Sequence, residues 1–319
     1  MMSFSSDVRA ETAREVVMDP CCARAEFAGA LLACGGVSFH GAGRYSLALT
    51  ATDAVVIRHF FSLLKHFFNI SCQIRTLRTN QLRGATRYQL AVPDEAAGCL
   101  MDACGLWDPK ALFGVRAIPK AEIMHYSCCK KAFLRGAFQL CGAVSNPEKS
   151  YHLEFAAPNE ILADFVIELM EYFEIFAKKA CRKSKFVVYL KGGESISDML
   201  ALLGAQNSVM SMENVRVKKE VHNRVNRQIN CDESNLNRLM LKAEAQVRDI
   251  RLIQEEIGLE KLPRSLREMA ILRLENPDKS LAALGELASP ALGKSGVNSR
   301  MRRIAEIAAK LRTGEDIQG

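Results

Sequence analysis

Two stretches of the chain share the same order of apolar and polar positions. Residues 21–37 (CCARAEFAGALLACGGV) and 128–144 (CCKKAFLRGAFQLCGAV) match at the paired cysteines, at the glycine near the middle and at the Cys-Gly near the end. Both stretches are apolar at helical rather than strand spacing. A match of this length within one sequence indicates an internal duplication.

The similarity continues after each helix. Strand-like segments that begin at Tyr45 and Tyr151 lead into apolar helices that end at Phe68 and Phe173. A further hairpin and a short helix complete each copy, over about residues 20–106 and 127–205. The pattern therefore predicts an α+β domain over residues 1–207, formed by a pseudo-symmetric duplicated αββαββα unit.

Small residues in the repeated helix predict a close contact between the two copies. Gly29 and Gly136, with alanines beside them, remove side-chain bulk from one helix face, so that two such helices can bring their backbones together. Gly35 and Gly142 follow the helices, where we expect C-caps in the left-handed conformation.

The C-terminal part is predicted to be helical. A polar stretch from Asn207 places a domain boundary there, followed over residues 208–258 by a basic arm and a long linking helix capped at Asp232 or Ser234. The apolar positions expected to face a core in this helix are Leu236, Leu239, Met240, Ala243, Val247, Ile250 and Ile253.

Residues 259–319 show a compact three-helix pattern. The second helix is capped by Ser280 and the third is basic, with a tight turn between them, so residues 279–312 are predicted to form a helix-turn-helix motif. The expected core positions are Leu284, Leu287, Val297, Ile304 and Ile307.

Charge is concentrated where this motif is predicted. The net charge is +7, and residues 291–312 carry six bases and one acid. Clustered positive charge is typical of a polyanion-binding surface, although a solvated helix face would also explain it. At the N-terminal end of a recognition helix, side chains meet base edges or phosphates. The predicted DNA-binding residues are Lys294, Ser295, Asn298, Ser299, Arg300, Arg302 and Arg303.

The cysteines and the first residues of the chain indicate the cellular compartment of the protein. The 11 cysteines are odd in number and show no CxxC spacing, which favours buried free thiols over a disulfide framework and leaves a zinc site as the lesser alternative. Neither a signal peptide nor an apolar span is expected, so we predict a cytoplasmic, nucleoid-associated protein without a cofactor or a small-molecule substrate.

The repeated helices resemble the signature helices of LAGLIDADG homing endonucleases. Phe27–Gly35 and Leu134–Gly142 align with that signature. In the family, an acid near each helix end holds the metals that cut DNA, whereas Cys34 and Cys141 stand at those positions here. Neutral thiols are poor ligands for Mg²⁺, so the resemblance implies vestigial catalytic positions and no metal.

The same resemblance implies a sheet surface that holds duplex DNA. Contact with a protein partner, or no function beyond exposed hairpins, would also fit the basic residues there. The candidate backbone contacts are Arg75, Arg78, Arg83 and Arg87 in the first copy, Lys178, Lys179, Arg182, Lys183 and Lys185 in the second, and Arg224 and Arg227 in the basic arm.

The whole chain resembles the WhiA family. The resemblance rests on the degenerate helix pair, on Asn-Arg-x-x-Asn-Arg-x-x-Asn-Cys-Asp232 and on Leu292-x-Lys-Ser-Gly-Val-Asn298, with Ser299 where many members carry histidine. It implies a sequence-specific transcription regulator of promoter DNA linked to cell division, chromosome segregation and sporulation, in some relatives acting with a second regulator. An architectural DNA-binding protein and an active nuclease are the alternatives.

Overall fold

The computed structural model of the chain describes residues 3–40, 44–78, 86–111, 114–182 and 185–313. The chain forms two compact units, Met1–Lys219 and Glu220–Gly319. The boundary between them lies later than the expected one at residue 207.

The first unit begins with a short helix and then the first repeat. Helix α1 spans Phe4–Thr12, and Ser3 caps it by accepting a hydrogen bond from the Ser6 N–H. The first repeat consists of α2 (Pro20–Cys34), β1 (Gly36–Phe39), β2 (Tyr45–Ala51), α3 (Ala54–Phe68), β3 (Gln73–Arg78), β4 (Thr86–Val92) and α4 (Asp94–Ala103). Its antiparallel strands lie in the order β1-β2-β4-β3.

The second repeat has the same order of elements. It consists of α5 (Ser127–Cys141), β5 (Gly142–Val144), β6 (Leu153–Ala157), α6 (Glu160–Glu171), β7 (Lys178–Arg182), β8 (Lys185–Leu190) and α7 (Gly193–Leu203). Its strand order, β5-β6-β8-β7, is equivalent to that of the first sheet. The predicted α+β class and the duplicated αββαββα unit are therefore confirmed.

Helices α2 and α5 pack side by side, in the same direction, at the centre of this unit. A Cβ atom on Gly29 would meet the carbonyl oxygen of Phe133, and one on Gly136 would meet the carbonyl oxygen of Glu26. Backbones that approach this closely leave no space for any side chain at the two crossing positions. The two glycines thus set the distance between the repeats.

The prediction of left-handed C-caps at Gly35 and Gly142 is wrong. Both residues cap their helices in the extended region, with φ of −74° and −80°. The need for glycine there is steric instead, because a Cβ atom on Gly35 would lie 2.6 Å from the carbonyl oxygen of Leu31, and one on Gly142 would clash with the ring of Phe138.

A buried polar network joins the repeats across the α2–α5 contact. Glu26 is fully buried, and its carboxylate accepts hydrogen bonds from Arg135 Nη2 at 2.6 Å and from Arg135 Nε at 3.1 Å. His59 Nε2 lies 2.8 Å from the same carboxylate, and Gln139 Nε2 donates at 3.3 Å. Burial alone would raise the pKa of Glu26, but His59 and Arg135 hold it below its ordinary value.

A single long helix replaces the predicted arm and linking helix. Helix α8 spans Gln206–Glu256, and the boundary between the two units falls within it. No N-cap forms at Asp232 or Ser234, because the helix is already continuous there. Apolar residues at every fourth position from Val217 through Val221 and Val225 to Ile229 are typical of helix and explain why the arm is helical.

The second unit contains the three predicted helices, α9 (Arg264–Glu275), α10 (Leu281–Leu287) and α11 (Lys294–Thr313). They pack with Ile250 and Ile253 of α8 around one core. Leu236, Leu239 and Met240, which were predicted on the apolar face of an amphipathic helix, are exposed. Throughout the described ranges, no helix combines the length and the hydropathy needed to cross a bilayer.

Candidate nucleic-acid interface

The third helix of the second unit is held by a small apolar core. Leu284 of α10 and Val297 and Ile304 of α11 are buried together, as expected, and Ile307 is partly buried. Leu287 was predicted to join them, but it is 45% exposed, because α10 ends at this residue and Leu292 of the turn packs on the core instead.

Two local features define the start of α10 and the turn that follows it. The Ser280 hydroxyl accepts a hydrogen bond from the Ala283 N–H at 3.3 Å, which is the predicted N-cap. The Leu292 N–H donates to the Gly285 carbonyl at 2.9 Å, and a Cβ atom at Gly285 would meet the Leu292 carbonyl oxygen. The turn can therefore fold back tightly onto α10 only with glycine at this position.

Arg273 was missed by the sequence reasoning, although it interrupts the apolar run Ile271-Leu272-Arg273-Leu274. It is 2% exposed, and its Nη1 donates to the carbonyls of Lys279 at 2.7 Å and Pro277 at 3.3 Å. Burial lowers the pKa of this guanidinium. Arg273 therefore anchors the loop that leads into the cap of α10.

The exposed face of α11 carries a polar strip. Ser295, Asn298 and Arg302 recur at three- and four-residue intervals, so they lie one above another on the helix, and all three are exposed. Ser299 borders the strip, and Lys294 begins the helix. Arg302 Nε lies 3.3 Å from Glu306 Oε1, an exposed contact that a stronger anion could replace. This face has donors and acceptors suited to base edges.

Arg300 lies away from this strip. At 3.6 residues per turn it stands roughly 160° around the helix from Arg302. It is half-buried, and its Nη1 donates to the Ser265 carbonyl of α9 at 3.4 Å. Arg303, which is exposed, lies between these two directions. The seven predicted residues are thus in one helix but do not share one face.

A groove opens beside the N-terminal turn of α11. Its volume is about 1250 Å³, and Lys294, Ser295 and Asn298 line one wall. The opposite wall belongs to α8 and includes the exposed Leu236, Leu239 and Met240. The basic residues around the groove are Lys242, Arg248, Arg251, Arg273, Lys279 and Lys294, against two acids, Glu244 and Asp278. Its electrostatic balance favours an anionic ligand.

Arg224 and Arg227, predicted for backbone contact, are exposed on α8 in the second unit. Arg227 Nε donates within the helix to the Asn223 carbonyl at 3.4 Å, a weak contact that leaves the guanidinium available.

The first sheet brings two of its predicted bases to one face. Arg75 pairs in register with Gln89, so these two side chains lie on the same face of the sheet. Arg87 is two residues from Gln89 and shares that face, which is the one that α3 does not cover. The strand β3 also includes Arg78, whose backbone pairs with Thr86. Arg83 lies outside the described residues.

The second sheet separates its bases onto two faces. Lys178, Arg182 and Lys185 share the face away from α6, whereas Lys179 lies on the other face, where Glu160 and Asp164 of α6 accept hydrogen bonds from it at 2.7 and 2.6 Å. Lys179 is therefore taken up by structural ion pairs. Arg182 lies 3.6 Å from Glu154, and Lys183 lies outside the described residues.

Cys34 and Cys141 end the two central helices at the sheets. Burial, followed by the neighbouring Cys34, raises the pKa of Cys141 to about 12. A thiol with that pKa is uncharged at neutral pH, and it is a poor ligand for a hard divalent ion. Over the described ranges, no cluster of three or more His, Cys, Asp or Glu side chains that could hold a metal includes either residue.

Comparison with known proteins agrees with this architecture. Three family models match successive parts of the chain: the WhiA N-terminal LAGLIDADG-like domain at residues 20–107, the WhiA LAGLIDADG-like domain at 130–222 and the WhiA C-terminal HTH domain at 225–308.

Full-length relatives carry the same name. A protein of Desulforamulus reducens named probable cell division protein WhiA is 41% identical over 319 residues, covering 100% of this chain and 99% of that protein. A Clostridium beijerinckii protein of the same name is 39% identical over 98% of this chain and all of its own length. The crystal structure of full-length WhiA from Thermatoga maritima covers 97% of this chain and 99% of its own, with a TM-score of 0.58 at 22% identity, and so shares the fold.

Proposed function

The chain belongs to the WhiA family, and from this premise we propose that it is a sequence-specific transcription regulator that binds double-stranded DNA at promoters and acts in cell division. The observation that carries the proposal is the exposed strip of Ser295, Asn298 and Arg302 on the third helix of a helix-turn-helix unit. An Asn or Arg side chain in the major groove can form paired hydrogen bonds with adenine or guanine.

The two units supply different parts of the binding energy. The strip on α11 distinguishes the nucleobases of DNA. The basic side chains on the open sheet faces attract phosphates without reading sequence, and they are Arg75, Arg87, Lys178, Arg182 and Lys185. Links to chromosome segregation and sporulation, and a location on the nucleoid, follow from the family resemblance and belong to the same proposal.

The test compares single variants of the full chain on a selected promoter fragment and on random DNA of equal length. Asn298→Ala should weaken binding to the selected fragment by about 1–3 kcal/mol and leave random binding nearly unchanged. Arg75→Ala should weaken both equally and reduce the salt slope by about one. The control is Lys310→Ala, an exposed base in the last turn of the same helix.

We further propose that the protein does not cut DNA. The support is the pair of helix-end thiols, Cys34 and Cys141, in place of carboxylates. Two-metal cleavage needs charged oxygen ligands at the helix ends. Supercoiled plasmid incubated with the full chain and Mg²⁺ or Mn²⁺ should stay intact, and metal-dependent nicking would contradict this part of the proposal.

An architectural role is the second candidate, and the basic residues on the open sheet faces favour it. Such a protein would bind all duplexes with similar affinity, whereas a regulator binds its sites typically 10³–10⁷ times more tightly than random DNA. The comparison of binding to the selected promoter fragment and to random DNA therefore distinguishes the two functions.

A further inference from the structure

Four cysteines that play no part in the DNA-binding surfaces meet in the first unit. Cys21 and Cys22 lie in the first turn of α2, and Cys128 and Cys129 lie in the first turn of α5. Their four sulfur atoms all lie within 4.8 Å of one another. Over the part of the chain that the structure describes, this cysteine cluster is the one group of three or more His, Cys, Asp or Glu side chains with such proximity.

The spacing is close to that of a tetrahedral thiolate site. Zinc–sulfur bonds are about 2.3 Å long, so the sulfurs of a four-cysteine site lie roughly 3.8 Å apart. Sulfur atoms within 4.8 Å of one another need to move by about an ångström or less to reach that geometry. Such movement is available to side chains that rotate about a single bond at the start of a helix.

The composition and burial of the cluster fit a closed site. Cys22 and Cys129 are buried, Cys21 is half-buried and Cys128 is exposed, so that an ion can enter from one side and then be shielded on the others. All four ligands are soft sulfur donors, a set that favours zinc over magnesium or calcium. Four protein ligands leave no open position for a substrate, which is typical of a structural ion.

Electrostatics favour anionic sulfur at this place. The N-terminal ends of α2 and α5 meet here, and each carries a partial positive charge that stabilises a nearby anion. A divalent cation supplies the charge that makes four adjacent thiolates stable.

We propose that the cysteine cluster is a structural zinc site that ties the two repeats together at the N-terminal ends of α2 and α5. The glycines Gly29 and Gly136 set the helix distance in the middle of the same contact. The ion would lock the end that lies away from Cys34 and Cys141. The four cysteines, two from each repeat, then have a shared role.

The experiment uses the purified full chain, reduced, stripped with a chelator and reloaded with Zn²⁺ or Co²⁺ alone. We expect one zinc ion per chain, as measured by inductively coupled plasma mass spectrometry. With Co²⁺, we expect the intense visible bands of a tetrahedral site together with sulfur-to-cobalt charge transfer. X-ray absorption on the zinc-loaded wild type should give four sulfur neighbours at about 2.3 Å.

Matched variants locate the ion. The double variant Cys21→Ser with Cys128→Ser removes one ligand from each repeat at the less buried positions, and it should lose stoichiometric binding. Cys99→Ser with Cys231→Ser removes two exposed thiols elsewhere and should bind like wild type. Fluorescence of Trp107, the single tryptophan, shows whether each variant keeps the fold of the first unit.

Three results would overturn the proposal. They are a zinc content well below one per chain after reloading, an X-ray absorption spectrum dominated by oxygen or nitrogen neighbours, and equal metal binding by the two double variants. The X-ray absorption result depends only on the wild type, so it decides the matter even where the ligand variant fails to fold.

Discussion

The buried pair of Glu26 and Arg135 gives the sharpest stability prediction. Glu26→Gln keeps the size of the side chain but removes its charge, and it turns one acceptor oxygen into a donor that faces the guanidinium of Arg135. Arg135 is 6% exposed and would then have no buried counter-charge among the groups around Glu26. Breaking a buried pair from one side costs about 3–5 kcal/mol.

Urea denaturation followed by Trp107 fluorescence measures the effect in the first unit, because this single tryptophan packs against Tyr45 there. With a slope of about 2–3 kcal/mol per molar urea, the loss should lower the midpoint by roughly 1–2.5 M. The matched control is Glu160→Gln, the same chemical change in an exposed ion pair, which should leave the midpoint close to that of wild type.

The acid dependence of stability gives an independent check. The folded-state pKa of Glu26 is held below its ordinary value of 4.5. Its ionisation therefore stabilises the fold above that value, and this stabilisation is lost as the pH falls through the lower folded-state pKa. Glu26→Gln should lack this part of the acid dependence. A loss below about 1 kcal/mol at neutral pH, or an unchanged acid profile, would show that the Glu26 charge does not stabilise the fold.

Further predictions concern the helix contact and the helix ends. Gly136→Ala places a methyl group against the Glu26 carbonyl and should cost about 1–3 kcal/mol or more, whereas Gly98→Ala, with nothing within 4 Å of the new atom, should be neutral or stabilising in the same urea assay. Cys34→Ala combined with Cys141→Ala should leave promoter affinity within about twofold of wild type, as measured by fluorescence anisotropy. A folded double variant with lost binding would show that these thiols are not vestigial.

Much of the fold could be predicted because it follows from short-range patterns in the sequence. The duplication is visible as two matching sequence segments, residues 21–37 and 128–144. The helix-turn-helix follows from a cap at Ser280, a short apolar helix and a basic helix. The sequence did not show that α8 is continuous, because polar residues near Asn207 and Asp232 resemble breaks when read without the helical spacing between them.

The candidate site was less predictable because it depends on which faces meet. Helical spacing separates Arg300 from Arg302, but only the packing of α11 on α9 shows that Arg300 is on the side that faces α9. The contact of Glu26 with Arg135 and the meeting of four cysteines both require α2 and α5 to lie side by side in the same direction. Tertiary contacts of that kind have no signal in local periodicity.

Base reading by α11 is tested by the affinity of the full chain for the duplex fragments that it selects from its own genome. The measurement compares these fragments with random DNA at one salt concentration, for wild type and for Asn298→Ala with Arg302→Ala. We expect wild type to prefer the selected fragments by about 10³ or more, and the double variant to lose most of this preference while its binding to random DNA persists. Equal affinity for all duplexes, or equal loss on both, would contradict base reading by α11.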